Sequence, residues 1–489
     1  MTIDRWISGR ATTKPDHPAI VFQGETWSYA DFEDRIGETA AALAASGVGS
    51  GDRVAWYGLN RPEVFSLMFA AARIGAILCP LNWRLAAAEI AAIVDDCGPK
   101  LVVHDDHFAH PAQALAGRGR KVVHHAAVPT LSRDQWAGAG EGGGAEAPLL
   151  IVYTSGSTGG PKGAVLSQAA VEASAVMSAE AHEMTGEDVA LACLPFFHVG
   201  GLNIIPGPVF LKGATLEIHE RFDPAEALAA IQRIDAAVVV PTVLQAIMAA
   251  PGWAAADLSR LRLLSIGSTD VPVELIEAAH ARGVPLIQLY GATETSPLAI
   301  HQRRAEAMET VGSIGAPGSL ASIRLMREDG TEALVGEPGE IWVKGPSILS
   351  EYWRNPAETE RSILDGWFRT GDVARRDGDG RYWFMDRIKH VVISGGENIY
   401  PAELERILRP HPKVREVSVV GRPDPQWGEI PVAVIAATGE MTEAEVLSAF
   451  NGALARYKHP KAVAFVDALP RNAMGKVVAS DVRAMIGAD

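Results

Sequence analysis

Cysteine is scarce in this chain. Its 489 residues hold three, Cys79, Cys97 and Cys193, far apart and without a CxxC pair. That argues against a disulfide framework and a structural zinc site, and it suits a reducing compartment. Positive charge is in deficit: the formal net charge is -15, so a nucleic-acid role has no electrostatic support. The 14 histidines show no metal-ligand spacing. A long uninterrupted apolar span is missing too. The longest apolar run, residues 64–81, is broken by Arg73 and Pro80, and reads as a buried helix running into a strand rather than a membrane crossing. The first residues lack a basic-then-apolar leader pattern, the last carry no lipidation or targeting motif, and no internal repeat is evident. The expectation is a cytoplasmic protein, monomer or homodimer, without an integral membrane segment.

Apolar residues are present in ordinary measure, 48%, and the chain is too long for one compact core. "SYADFEDRIGETAAALAASGV" reads as an amphipathic helix. "DRVAWYG", "KLVVHD", "AVVVPT", "LRLLSIG" and "VPLIQLYG" read as short strands ending in loops, mostly separated by helical segments. That alternation predicts parallel α/β sheets with helices on both faces, whose ligands gather at the carboxyl ends of strands. The Gly-rich stretch 137–148 reads as a connector. From about residue 310 Gly-rich turns separate short aromatic strands, which predicts antiparallel sheet. After "DRIKHVVISGG" mixed α/β texture returns, with Pro401 opening the helix "PAELERIL". A domain boundary is placed at Lys389, giving parts 1–388 and 389–489.

"TSGSTGGPKG", residues 154–163, follows a buried strand. It is not a Walker loop, because Lys162 is followed by Gly163 rather than by a hydroxyl. Thr154, Ser155, Ser157 and Thr158 supply hydroxyls. Gly156, Gly159 and Gly160 let backbone N–H groups turn inward as an anion nest, and Lys162 adds charge. The combination suits a polyphosphate such as ATP.

This stretch resembles the signature loop of the adenylate-forming enzymes, which include acyl- and aryl-CoA synthetases, peptide-synthetase adenylation domains and luciferases. "YGATET" (290–295), "RTGDVA" (369–374), "DRIKHVVISGGENIYPAELE" (386–405) and "PRNAMGKV" (470–477) resemble further motifs of that superfamily, in its order, across nearly the whole chain. The resemblance implies a large N-terminal domain of α/β sheet subdomains plus a small β-barrel-like subdomain, followed by a small mobile α+β domain. It implies two steps: a carboxylic acid and ATP give acyl-AMP and pyrophosphate, then coenzyme A displaces AMP to give a thioester.

The resemblance also assigns residues. Glu294 is implied as the Mg2+ ligand, with Thr293 on a phosphate oxygen. Tyr290 and the backbone of Gly267, Ser268 and Thr269 are implied to sandwich adenine beside Gly291. Asp372 would hold the ribose hydroxyls and Arg387 the ribose or phosphate. Lys476 is implied as the catalytic lysine of adenylation. Lys389 is the hinge, about which Lys476 leaves and "SGGEN" arrives, with Gly395 and Gly396 admitting the pantetheine arm and Trp427 stacking on the coenzyme A adenine. His198 would line the meeting point of the acyl and thiol tunnels. Val199, Gly200, Asn203, Ala292 and Pro297 would line the acyl pocket.

An amino-acid-activating domain would need an acidic partner for the substrate amine near "FFHVGG", and none is present. A non-catalytic ligand-binding relative should have lost Lys476, Glu294 or the loop hydroxyls. An adenylation enzyme loading another acceptor stays open. The pocket stretches contain no Arg or Lys, which disfavours dicarboxylic acids, while Gly200 and Gly201 are expected to leave room for an aryl, arylpropenoic or medium-chain fatty acid.

Overall fold

The computed structural model describes residues 3–117, 119–128, 143–155, 161–268, 271–395, 397–471 and 476–487. Residues 137–142 of the Gly-rich connector therefore lie outside the described residues. The chain divides into two compact units, Met1–Ile323 with Val343–Arg369, and Arg324–Trp342 with Thr370–Asp489.

The first unit contains two large sheets. One has nine strands in the order Ala316–Pro317, Ile300–His301, Leu286–Tyr290, Leu263–Ile266, Ala236–Val239, Val189–Ala192, Thr215–Ile218, Pro18–Phe22 and Glu25–Ser28. The run from Leu286–Tyr290 to Pro18–Phe22 is parallel throughout. The other has seven strands in the order Glu351–Tyr352, Pro161–Ser167, Pro148–Ser155, Ile77–Pro80, Arg53–Tyr57, Leu101–His104 and Lys121–His124. Parallel strands share one carboxyl edge. The loops after Leu263–Ile266 and Leu286–Tyr290 therefore open side by side, as the predicted strand ends require.

The apolar run that suggested a helix and a strand is the helix Pro62–Ile74, stopped by Gly75 at φ 73°, followed by the strand Ile77–Pro80. The helix Tyr29–Ala45 starts at Ser28, whose hydroxyl accepts from the Asp31 N–H while Asp31 answers at the Ser28 N–H. The two helices pack together. Their buried rings Phe32, Phe65 and Phe69 meet Phe210 with centroids 5.1 to 5.6 Å apart. Each buried ring contributes about 1.5–3 kcal/mol, which makes this aromatic knot a rigid base for the sheets.

Strand Trp367–Arg376, which enters the second unit at Thr370, and strand Tyr382–Arg387 form an antiparallel hairpin. A further sheet orders Glu397–Ile399, Val392–Ser394, Gly428–Ala437 and Val414–Asp424, with Ala462–Phe465 added in parallel. The helix Pro401–Leu408, opened by its proline, packs on Val414–Asp424 through Leu404 and Leu408. Mixed α/β architecture with several sheets and a separate C-terminal domain is thus present as expected. No described helix is long and apolar enough to cross a membrane.

Candidate active site

The residues on either side of the expected anion loop pair as a hairpin. Strand Pro148–Ser155 turns back as Pro161–Ser167, with Thr154 opposite Lys162. The Thr154 hydroxyl donates to the Lys162 carbonyl at 3.4 Å. Gly156, Ser157, Thr158 and Gly159 lie outside the described residues, as does the Ser155 side chain. Lys162 Nζ lies 2.9 Å from Glu358 Oε1, the two side chains being only 11% and 12% exposed. Burial and the Arg361 cation lower the Lys162 ammonium pKa, with Glu294 opposing.

Glu294 occupies a turn, Thr293–Thr295, directly after strand Leu286–Tyr290 and Gly291. The turn is tight because Ala292 N–H donates to Thr295 Oγ1 at 2.9 Å. Gly291 must be glycine: a Cβ there would sit 1.7 Å from the Pro297 carbonyl oxygen. Thr293 and Glu294 are half-buried, and Tyr290 is buried opposite Ile300. Glu294 Oε1 accepts from the Tyr352 hydroxyl at 2.8 Å. Tyr352 and Glu358 are neighbours of the predicted site that the sequence reading missed. On the adjacent strand end, Ser268 has φ 75° and is exposed. Gly267 has no room for a side chain, since its Cβ would meet the Leu289 carbonyl oxygen at 2.5 Å. Thr269 lies outside the described residues.

His198 precedes the short helix Val199–Asn203. Its ring lies 4.4 Å from Phe197, centroid to centroid. Gly200 faces open space, its nearest neighbour Ile204 Cδ1 being 4.0 Å from a built Cβ, whereas Gly201 is closed off by the Pro195 carbonyl oxygen at 2.3 Å. The room expected of both glycines therefore exists at Gly200 alone. Val199, Asn203 and Pro297 are buried and Ala292 half-buried. Asn203 Nδ2 donates to the Ser296 carbonyl at 3.2 Å, tying this helix to the Glu294 turn.

The second unit brings its own group together. Asp372 and Arg387 stand directly opposite on the hairpin, with Arg387 Nε 3.1 Å from Asp372 Oδ1 and the aspartate side chain 7% exposed. Lys476 shares this environment. Burial and the Arg387 cation lower its pKa to about 8, with Asp372 opposing. A lysine held near neutrality by burial and a like charge is a group poised to meet an anion. Lys389, exposed, lies in the turn Ile388–His390 just after Arg387. Gly395, at φ 61°, lies under Trp427: its N–H donates to the Trp427 carbonyl at 2.7 Å, and a Cβ would meet Trp427 Cε3 at 2.8 Å. Gly396 lies outside the described residues.

Lys162 on the strand after the expected loop, a turn carboxylate at a parallel strand end, and a buried Asp372 paired with Arg387 are groups that suit nucleotide phosphates. Residues 7–353 match the AMP-binding enzyme family, and residues 403–476 its C-terminal domain. Indoleacetate–CoA ligase of Aromatoleum aromaticum is 42% identical, covering 99% of this chain and 98% of that protein. Feruloyl-CoA synthase of an Amycolatopsis species is 38% identical, covering 99% and 98%. The solved O-succinylbenzoate coenzyme A synthetase from Bacillus subtilis, in complex with ATP and magnesium ion, superimposes with a TM-score of 0.86 at 29% identity, covering 98% of this chain and 99% of that one. The chain belongs to the AMP-binding enzyme family, in its acyl- and aryl-CoA ligase branch. It is an acid–thiol ligase that works through acyl-AMP, with ATP, Mg2+ and coenzyme A. The donor set fits the metal: Mg2+ takes hard oxygen ligands, commonly one or two carboxylates beside substrate phosphates, and Glu294 offers an oriented carboxylate.

Proposed function

We propose that this ligase activates an aromatic monocarboxylic acid of arylacetic or arylpropenoic type. The indoleacetate and feruloyl enzymes named above support that class, as does the open space at Gly200. Residues 198–203, 267–269 and 290–297 contain no Arg or Lys, so a second carboxylate would find no cation there. A compartment with reduced thiols, the cytoplasm, suits three buried free cysteines.

The observation that carries the mechanism is the half-buried Lys476 beside Arg387 and Asp372. Asp372, acceptor-only when ionised, holds the ribose hydroxyls. The 154–162 loop grips the β- and γ-phosphates. Mg2+ held by Glu294 neutralises phosphate charge when bound. The acid carboxylate attacks the α-phosphate, the bond to pyrophosphate breaks, and Lys476 stabilises the charge that builds on the α-phosphate oxygens. Asp372 and Arg387 precede Lys389 in the chain and Lys476 follows it. A pivot at Lys389, the boundary between parts 1–388 and 389–489, removes the lysine after adenylation and delivers the Gly395 loop for thioester formation.

The test is a panel of monocarboxylic and dicarboxylic acids, scored by coenzyme-A-dependent AMP release. Arylacetic or arylpropenoic acids should show the highest kcat/KM. Faster turnover of a straight-chain or dicarboxylic acid would overturn the substrate class.

A further inference from the structure

We propose that Tyr352 is a positioning residue for the metal: its hydroxyl fixes the Glu294 carboxylate in the orientation that receives Mg2+. This rests on the reading of Glu294 as the metal ligand. Tyr352 lies on the two-residue strand Glu351–Tyr352, antiparallel to the strand that leaves the anion loop, with Tyr352 opposite Ala164. It is 5% exposed and packs in the main core of its unit. Its backbone N–H donates to Thr359 Oγ1 at 2.9 Å.

From that fixed base the hydroxyl donates to Glu294 Oε1 at 2.8 Å. The direction of the bond follows from chemistry, since an ionised carboxylate only accepts. The Leu349 N–H meanwhile donates to the Glu294 carbonyl at 2.8 Å. One short segment, residues 349–352, thus holds both the main chain and the side chain of Glu294.

A glutamate on a three-residue turn would otherwise lose rotamer freedom when metal binds. The bond from Tyr352 imposes that order beforehand. An ionised carboxylate has about four lone-pair sites, so one hydrogen bond leaves it able to bind a cation. Partners that orient metal ligands typically change metal affinity about 10–100-fold when removed. The same segment continues into helix Pro356–Ser362, whose Glu358 meets Lys162. The metal ligand and the loop lysine are therefore tied to one edge of the seven-strand sheet.

A purely structural role for Tyr352 makes a different prediction, because Tyr352→Phe keeps the ring and removes only the hydroxyl. The experiment compares wild type, Tyr352→Phe, Glu294→Gln and the double variant at saturating ATP, without acid or coenzyme A, so nothing turns over. The gain in melting temperature is followed as MgCl2 is titrated. The Mg2+ midpoint should rise roughly tenfold in Tyr352→Phe, rise in Glu294→Gln, and rise no further in the double variant. The Mg2+ requirement of adenylation should move in parallel.

An unshifted Tyr352→Phe beside a shifted Glu294→Gln overturns the positioning role and leaves the metal reading standing. An unshifted Glu294→Gln overturns both. Shifts that multiply in the double variant show two independent effects and overturn the positioning role as well.

Discussion

Two lysines of the candidate site stand near carboxylates, and their surroundings set them apart. Lys162 closes on Glu358 at 2.9 Å, both side chains nearly buried, in the unit that carries the anion loop. Lys476, in the other unit, lies beside Asp372, but that carboxylate is already engaged by Arg387 at 3.1 Å. Burial and the guanidinium then bring Lys476 down to about 8. Burial lowers both ammonium pKa values. At Lys476 that electrostatic cost is one an incoming anion can offset, which is what a group acting on the transition state requires. On the proposed reading, the unit with Glu294 and the loop would hold ions, while the Lys476 cluster would supply the chemistry of adenylation.

Replacing Lys476 by Ala is the hardest way to break the contrast. Adenylation should fall about 10²–10³-fold, the usual loss for one transition-state donor, while thioester formation from supplied acyl-AMP stays near wild type in single-turnover assays. Equal losses in both halves in a folded variant would remove the assignment. Glu294→Gln probes the holding unit: the Mg2+ requirement of adenylation should rise about 10–100-fold, read from initial rates against MgCl2.

Lys389→Pro fixes φ at the pivot and restricts the preceding residue. Thioester formation should slow about tenfold, ~1.4 kcal/mol on its barrier, with adenylation spared. Unchanged turnover would put the pivot elsewhere.

Stability sharpens the comparison, because burial lowers the pKa of both lysines while Lys162 also faces Glu358 at 2.9 Å. A lysine lowered from 10.5 to about 8 costs on the order of 3 kcal/mol of stability in full below pH 8. Between pH 8 and 10.5 the unfolded state binds more protons than the folded one, so the cost fades as pH rises. Lys476→Met should therefore stabilise the protein at pH 7, and the gain should vanish by about pH 10.5. Lys162→Met should stabilise less than Lys476→Met does. It removes one of the partners of a nearly buried Glu358 while Arg361 remains. Denaturant melts across pH read both.

The sequence shows the sheet scaffold because each parallel strand is a short apolar run ended by a turn. Strands Arg53–Tyr57, Leu101–His104, Leu263–Ile266 and Leu286–Tyr290 fall inside the stretches read as strands, and Ala236–Val239 begins one residue before its stretch. The juxtaposition of Asp372 and Arg387 was legible from the hairpin between them. Tyr352 and Glu358 were not. They lie in "SEYWRNPAETER", which carries no glycine or hydroxyl signature, and reach Glu294 and Lys162 only through long-range pairing of an edge strand. The inclusion of Arg324–Trp342 with the C-terminal part of the chain is likewise a matter of distant contacts that no local texture reports. Gly201 shows the same limit: its lack of a side chain accommodates the Pro195 carbonyl, not a substrate.

The division of labour is tested most directly on the unaltered enzyme, by the pH dependence of kcat/KM for each half-reaction. Adenylation needs Lys476 charged, so its profile should descend with a free-enzyme pKa of about 8. Thioester formation from supplied acyl-AMP should lack that descending limb. A limb near pH 8 shared by both halves, or absent from adenylation, would contradict the assignment of Lys476 to the first half alone.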